Sequence, residues 1–124
     1  MRPPWIRPLY VIAAVYDLIL GVAFVIAQDR IFAWFEVTPP NHPGYVMFGA
    51  LCVMIFGVAF LLIARAPERN RDLIALGVLF KLAYAVPVLG YHFTGSIPGM
   101  WVPWAYADLV FALLFLVSLR SLKS

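Results

Sequence analysis

Four long apolar runs dominate the chain, and short polar or proline-containing segments separate them. The runs cover residues 9–27, 45–64, 73–91 and 104–119. At ~1.5 Å per residue, helices of this length match or approach a hydrocarbon core of about 30 Å. We therefore predict an all-α integral membrane bundle of four transmembrane helices, with residues 1–124 forming a single four-span domain.

A second pattern follows the first run. In residues 29–37, DRIFAWFEV, the polar positions Asp29 and Glu36 share one helical face with Ala33, and large apolar side chains cover the rest. This pattern predicts a short interfacial amphipathic helix after the first span, because the segment is too short to cross a membrane. Three prolines and a glycine in residues 38–44 then end any helix.

Composition agrees with the apolar pattern. Hydrophobic residues make up 65% of the chain and charged residues only 12%, whereas soluble domains average about 45–50% and about 25%. The formal net charge of +3 is too small and too scattered to predict a nucleic-acid partner. The lipid bilayer is the expected environment.

The few basic residues predict the orientation. With four spans both termini lie on one side of the membrane, and that side holds every Lys and Arg except Arg30 and Lys81. The residues on that side are Arg2, Arg7, Arg65, Arg69, Arg71, Arg120 and Lys123. Basic residues are enriched in cytoplasmic loops, so we expect both termini to be cytoplasmic.

Three charges lie inside the apolar runs: Asp17, Lys81 and Asp108. Counted along the helices, Asp17 and Lys81 lie ~12 Å, and Asp108 ~16 Å, above the same membrane boundary. A lone charge at mid-membrane costs about 2.5–3.5 kcal/mol on insertion scales. We therefore expect the three side chains to face each other, with Lys81 as the counter-ion and one negative charge in surplus.

The neighbours of these charges predict a pocket. Tyr84 and Tyr91 share a stripe of the third span with Lys81, and Tyr10 shares a stripe of the first span with Asp17. A mostly apolar cavity with a few convergent polar groups is typical of small-molecule sites. The candidate ligand or proton site is Asp17, Lys81, Asp108, Tyr84, Tyr10 and Tyr91.

Three structural alternatives remain open from the sequence. Asp17 and Lys81 could form an ion pair that only fixes the packing of the helices. Lys81 could instead extend its stem to the membrane surface, although ~12 Å is long for that stem. Asp108 could lie nearer the outer interface, beside Trp104 and Tyr106.

Other chemistries find little support. The only histidines, His42 and His92, fall in predicted outer loops, and the single cysteine, Cys52, lies within the second span. This spacing predicts no metal site. The residue pattern also contains no catalytic triad order and no glycine-rich phosphate loop, so it predicts neither a resident cofactor nor a catalytic residue.

The layout resembles the DoxX-like superfamily of small bacterial four-helix membrane proteins. The similar stretches are DLILGVAF in the first span, IFAWF after it, GALCVMIFGVAFLL in the second span, and RAPERNR before LGVLFK. The resemblance implies a multi-pass protein of the bacterial inner membrane. It also implies an accessory role beside redox enzymes, sometimes linked to quinone or thiosulfate chemistry.

These observations lead to one preferred function and two alternatives. We expect a non-catalytic accessory or ligand-binding subunit, working in a larger membrane complex or a homo-oligomer, with a quinone or another lipid as a conceivable ligand. The first alternative is a membrane-embedded enzyme acting on a quinone or isoprenoid, with Asp17 or Asp108 moving a proton. The second is a proton-coupled carrier of small hydrophobic cations.

Overall fold

The computed structural model describes residues 2–122, and every regular element in this range is helical. The long helices are α1 (Ile6–Trp34), α2 (Pro43–Arg65), α3 (Arg71–Thr94) and α4 (Val102–Ser121). All four are long and apolar enough to cross a membrane. This confirms the predicted all-α four-span bundle, and the chain is a membrane protein. Lys123, which contributed to the predicted orientation, lies outside the described residues.

The first helix contains a break where the sequence pattern changes. Ala27 leaves the helical region of backbone space, with φ −136° and ψ 22°, and the chain then continues as a short helical piece to Trp34. A separate helical segment therefore follows the first span, as predicted, although it ends three residues before the expected Val37. Its position in the plane of the membrane interface stays a prediction.

The early end of this segment has a local cause. Glu36 has a positive φ of 53°, the left-handed conformation that usually closes a helix at glycine. Around it, the N–H of Val37 donates to the carbonyl oxygen of Phe32, and the N–H of Glu36 donates to that of Ala33. These two bonds form a Schellman motif, so residues 35–37 cap the helix instead of extending it.

The four helices associate as two close pairs. α1 packs most extensively against α2, and α3 against α4. Gly57 allows the close approach of α1 and α2, because a Cβ built there would lie 2.8 Å from Cγ of Leu18 and 3.3 Å from the carbonyl oxygen of Ala14. Gly49, about two turns earlier in α2, makes no such contact, and no heavy atom lies within 4 Å of its Cβ position.

One half of the bundle is filled by a continuous core. We call it the termini half, because it holds the start of α1, the α2–α3 connection and the end of α4. Tyr10 stacks on Phe115 with ring centroids 4.7 Å apart, and Phe60 meets Phe115 edge-on at 5.0 Å. All three side chains are fully buried, so this half holds the two helix pairs together.

The other half, which carries the α1–α2 and α3–α4 connections, is more open. We call it the loop half. α2 and α3 touch where Phe56 stacks on Phe80 at 4.0 Å and where Phe60 faces Gly77. Both contacts lie on the termini side of Ala83 and Gly49. Beyond Phe56 and Phe80 the two helices leave a cavity.

α3 continues through Pro87 as one helix. Because proline has no N–H, the carbonyl oxygen of Ala83 lacks its usual helical donor four residues later. Ala83 lies in the wall of the cavity. The proline therefore places an additional hydrogen-bond acceptor near the cavity.

Candidate functional site

The three charges of the spans meet in the interior of the bundle. Nζ of Lys81 donates to Oδ1 of Asp17 at 2.8 Å and to Oδ1 of Asp108 at 3.1 Å. Lys81 is 0% exposed, Asp17 2% and Asp108 8%. The predicted pairing is confirmed. Because Lys81 contributes no surface to the membrane boundary, the alternative in which its stem extends to that boundary is wrong.

These bonds join both helix pairs. Asp17 belongs to α1, whereas Lys81 and Asp108 belong to α3 and α4. Each carboxylate comes from a helix that faces the bundle centre at that level, and the long lysine stem reaches between them. Through the bond between Asp17 and Lys81, the cluster is therefore a polar connection between the α1–α2 pair and the α3–α4 pair.

Aromatic rings surround the ammonium group. The ring centroids of Phe111, Tyr16, Phe60 and Phe80 lie 5.0, 5.2, 5.5 and 5.8 Å from Nζ of Lys81. At these distances the ring faces attract a cation and exclude water from it. The lysine is held by two carboxylates and a shell of aromatic rings, and this arrangement fixes its position.

A cavity of about 590 Å³ lies beside the cluster in the loop half. Asp17 and Asp108 are in its wall, whereas Lys81 is not. The remaining wall is apolar or aromatic and is supplied by all four helices and the turn before α4. Its aromatic members are Phe24, Phe48, Phe80, Tyr84, Trp101 and Trp104. This volume falls in the range of about 300–1,000 Å³ that holds small ligands.

The cavity opens between α2 and α3. Phe48, Gly49 and Ala83 are exposed, and all three belong to the cavity wall. They lie on the two helices that separate beyond the Phe56–Phe80 contact. In a membrane this opening faces acyl chains, so a lipid-soluble molecule could enter from the side.

One atom in this wall has an unmet bonding requirement. Oδ1 of Asp17 accepts from Lys81, whereas Oδ2 is buried and has no hydrogen-bond partner among residues 2–122. Buried carboxylate oxygens normally have partners, because an unsatisfied one keeps its desolvation penalty. The unpartnered oxygen belongs to a residue of the cavity wall.

The three predicted tyrosines have three different positions. Tyr84 lines the cavity, and its hydroxyl donates to the carbonyl oxygen of Trp101 at 2.7 Å. Tyr10 lies in the core of the termini half, where its hydroxyl is 2.6 Å from Oγ of Ser118. Tyr91 is 63% exposed near the end of α3. The structure thus brings Tyr84 to the site, and it does not bring Tyr10 or Tyr91 there.

Several wall residues were not among the predicted site residues. They include Trp101, Trp104 and Gly49. The spacing of Trp101, Trp104 and Asp108 is three and four residues, which places them on one side of the chain entering α4. That periodicity was a usable signal. The opening at Gly49 had no such signal, because it depends on how far α2 and α3 separate.

The remaining candidates are placed as follows. Asp108 is bonded to Lys81 inside the bundle, so the alternative that puts it at the outer interface is wrong. Among the described residues, no three His, Cys, Asp or Glu side chains come together in a group that could hold a metal ion. Comparison of the chain with protein-family models, curated proteins and solved structures finds no match in any of the three.

Proposed function

We propose that the protein is a non-catalytic, ligand-binding membrane subunit that takes up a lipid-soluble molecule in the cavity of its loop half. The observation that carries this proposal is the unpartnered carboxylate oxygen of Asp17, a residue of a mostly apolar wall that also contains Asp108. Such a site supplies a large apolar surface for affinity and a few polar groups for orientation. The proposed ligand is therefore mostly apolar with one polar end.

The opening between α2 and α3 supports uptake from the bilayer. Its exposed members Phe48, Gly49 and Ala83 lie on helix surfaces that contact lipid in a membrane. A molecule that already resides among acyl chains, such as a quinone or another lipid, meets this opening without crossing water. The cavity side of the bundle would then exchange ligand with the membrane laterally.

The charge cluster favours binding over proton chemistry. Both carboxylates hold the same ammonium group, and protonating either one would weaken a buried ion pair. A general acid or base works best when its proton can leave and return without structural cost. Binding through Oδ2 of Asp17 leaves both ion pairs intact, whereas the alternative enzyme would break one of them in each cycle.

We also propose the wider setting of this subunit. The distribution of basic residues supports a topology with both termini in the cytoplasm. The resemblance to DoxX-like proteins supports a location in the bacterial inner membrane and an accessory role in a larger membrane complex or a homo-oligomer. Native mass spectrometry from a mild detergent would report the copy number and any stably associated subunit.

The same measurement tests the proposed site with a matched pair of variants. Gly49 and Gly90 are both exposed helical glycines with no heavy atom within 4 Å of the Cβ position, and of the two only Gly49 belongs to the cavity wall. We expect wild type and Gly90→Leu to carry a bound lipid-soluble molecule after purification. We expect Gly49→Leu to lose it, because the new side chain occupies the opening.

Equal ligand occupancy in the two leucine variants would contradict the proposed site. Wild-type protein that carries no lipid-soluble molecule, even after incubation with a total lipid extract, would contradict ligand binding itself. Turnover of a bound quinone or isoprenoid by the purified protein would favour the enzyme alternative.

A further inference from the structure

We propose that the ligand is a hydrophobic cation, a long-chain or aromatic amine whose ammonium group binds Oδ2 of Asp17. This inference rests on the proposed function, since it names the chemical class that the same cavity selects. Three properties of the wall lead to it: its acceptor, its charge and its aromatic rings.

The acceptor comes first. An ionised carboxylate accepts hydrogen bonds and donates none. Asp17 is only 2% exposed, and its Oδ2 has no partner among the described residues. A ligand head that satisfies this oxygen must donate a hydrogen bond. A carboxylate or phosphate head has no donor for it and would add repulsion.

The charge distinguishes a cation from a neutral donor. The cluster combines the carboxylates of Asp17 and Asp108 with the single ammonium of Lys81. With all three ionised, one negative charge is uncompensated in a region of low dielectric, where charge is costly. An alcohol can donate to Oδ2 and still leaves that charge uncompensated. An ammonium group supplies both the donor and the missing positive charge.

The rings give the third reason. Trp101, Trp104 and Tyr84 lie in the same wall as the two carboxylates, and tryptophan is the strongest cation–π partner among the side chains. The bundle already holds one ammonium in this manner, since four ring centroids lie within 5.8 Å of Nζ of Lys81. The cavity offers a second cation the same combination of carboxylates and aromatic rings.

The experiment compares three probes that share one apolar chain: dodecylamine, dodecanol and dodecanoate. Binding to the full-length protein in nanodiscs of zwitterionic lipid is measured by native mass spectrometry. The Gly49→Leu variant supplies the background of non-specific adducts. We expect dodecylamine to bind about tenfold or more tightly than dodecanol, a difference of about 1.4 kcal/mol, and dodecanoate to bind most weakly.

Two charge-neutralising variants locate the selectivity. Asp17→Asn replaces the acceptor with an amide and removes the surplus charge, so we expect the preference for the amine to disappear while dodecanol still binds. Asp29→Asn removes an exposed acid of the same helix outside the cavity wall, and we expect it to keep the preference. Should Asp17→Asn fail to fold, Asp108→Asn removes the same surplus charge from the other side of Lys81.

Each outcome decides a different point. Equal affinity for dodecylamine and dodecanol, or tightest binding of dodecanoate, would overturn the cation inference and leave the binding site in place. An amine preference that survives in both Asp17→Asn and Asp108→Asn would also overturn it. If Gly49→Leu bound all three probes as wild type does, the proposed site itself would fall.

Discussion

The termini half and the loop half of this bundle are built from the same four helices, yet one is closed and the other holds a cavity. In the termini half, Tyr10, Phe60 and Phe115 fill the space between the helix pairs. In the loop half, two smaller clusters around Phe24 and Ala85 leave a gap of about 590 Å³ between them. The charge cluster lies where the two halves meet.

The difference shows that one half of a small membrane bundle can hold the helices together while the other half contains a cavity. Lipid tails supply no hydrophobic driving force between helices, so the packing of side chains must hold the pairs together. Here the termini half supplies that packing. The Asp17–Lys81–Asp108 cluster joins the helix pairs where the termini half meets the loop half. The loop half is then free to remain open.

The largest effect is expected from removing the charge at the boundary between the halves. Lys81→Met keeps the length of the side chain and leaves two buried carboxylates without a cation. Breaking a buried ion pair from one side costs about 3–5 kcal/mol, so we expect a loss of that size in the free energy of unfolding. Denaturation by sodium dodecyl sulfate in mixed micelles would measure it.

A triple variant is the control for this prediction. Adding Asp17→Asn and Asp108→Asn to Lys81→Met removes the uncompensated carboxylates, so much of the lost stability should return. A single Lys81→Met variant as stable as wild type would show that the cluster does not join the two helix pairs.

The next effect separates close packing from open space by single glycine substitutions. A Cβ at Gly21 would lie 2.8 Å from the carbonyl oxygen of Ala50, and the backbone of α2 cannot easily move away. We expect Gly21→Ala to cost about 1–3 kcal/mol through overpacking. Gly49→Ala meets no atom and should stabilise α2 by about 0.5–1 kcal/mol. Equal unfolding midpoints for the two variants would contradict the described packing of α1 on α2.

A smaller effect concerns the polar bond inside the closed half. The hydroxyl of Ser118 donates to the carbonyl oxygen of Phe115 at 2.7 Å and lies 2.6 Å from the hydroxyl of Tyr10. Tyr10→Phe keeps the stacked ring and removes one hydrogen bond, so we expect a loss of about 0.5–1.5 kcal/mol. Ligand occupancy should be unchanged, because Tyr10 lies outside the cavity wall. Loss of ligand with full stability would reverse this assignment.

The smallest effect is expected from the ion pair between Arg2 and Glu68, at the end of the termini half that carries the α2–α3 connection, and it depends on pH. Arg2 donates two hydrogen bonds of 2.7 Å to the carboxylate of Glu68, and these bonds hold the pKa of Glu68 below its usual range. A lowered pKa gives stability that is present above the ordinary value of about 4.3 and is lost as the pH falls through the lowered value.

We therefore expect Glu68→Gln to lower the thermal midpoint slightly at neutral pH, with the difference from wild type shrinking below about pH 4. Asp72→Asn, which removes a nearby exposed acid in the first turn of α3, should not reproduce this profile. A pH-independent difference for Glu68→Gln would contradict the ion pair.

Much of this architecture could be predicted from the sequence, because each apolar run is long and each interruption carries a strong breaker. The meeting of Asp17, Lys81 and Asp108 also followed, since three isolated charges in a membrane interior would cost roughly 8–10 kcal/mol on insertion scales. The four spans and the meeting of the three charges could both be inferred without knowledge of how the helices pack, because the alternatives cost too much free energy in a membrane.

The cavity could not be predicted in the same manner. Its volume depends on the separation of α2 and α3 beyond the Phe56–Phe80 contact, and no local pattern encodes that distance. Tyr10 and Tyr91 share a helical stripe with a buried charge, yet Tyr10 lies about two turns and Tyr91 almost three turns from that charge along the helix. A stripe predicts the direction in which a side chain points, whereas the level of the cavity along the bundle depends on tertiary packing.

The distance in sequence between Asp17 and its counter-ion has a consequence for biosynthesis. The two residues are 64 positions apart, so the ribosome completes α1 and α2 before Lys81 emerges. A lone aspartate in the bilayer costs about 2.5–3.5 kcal/mol on insertion scales, and the glycine contacts between α1 and α2 need no charge. The nascent hairpin can thus assemble early with its acid unneutralised, and insertion of the third helix then supplies the counter-ion.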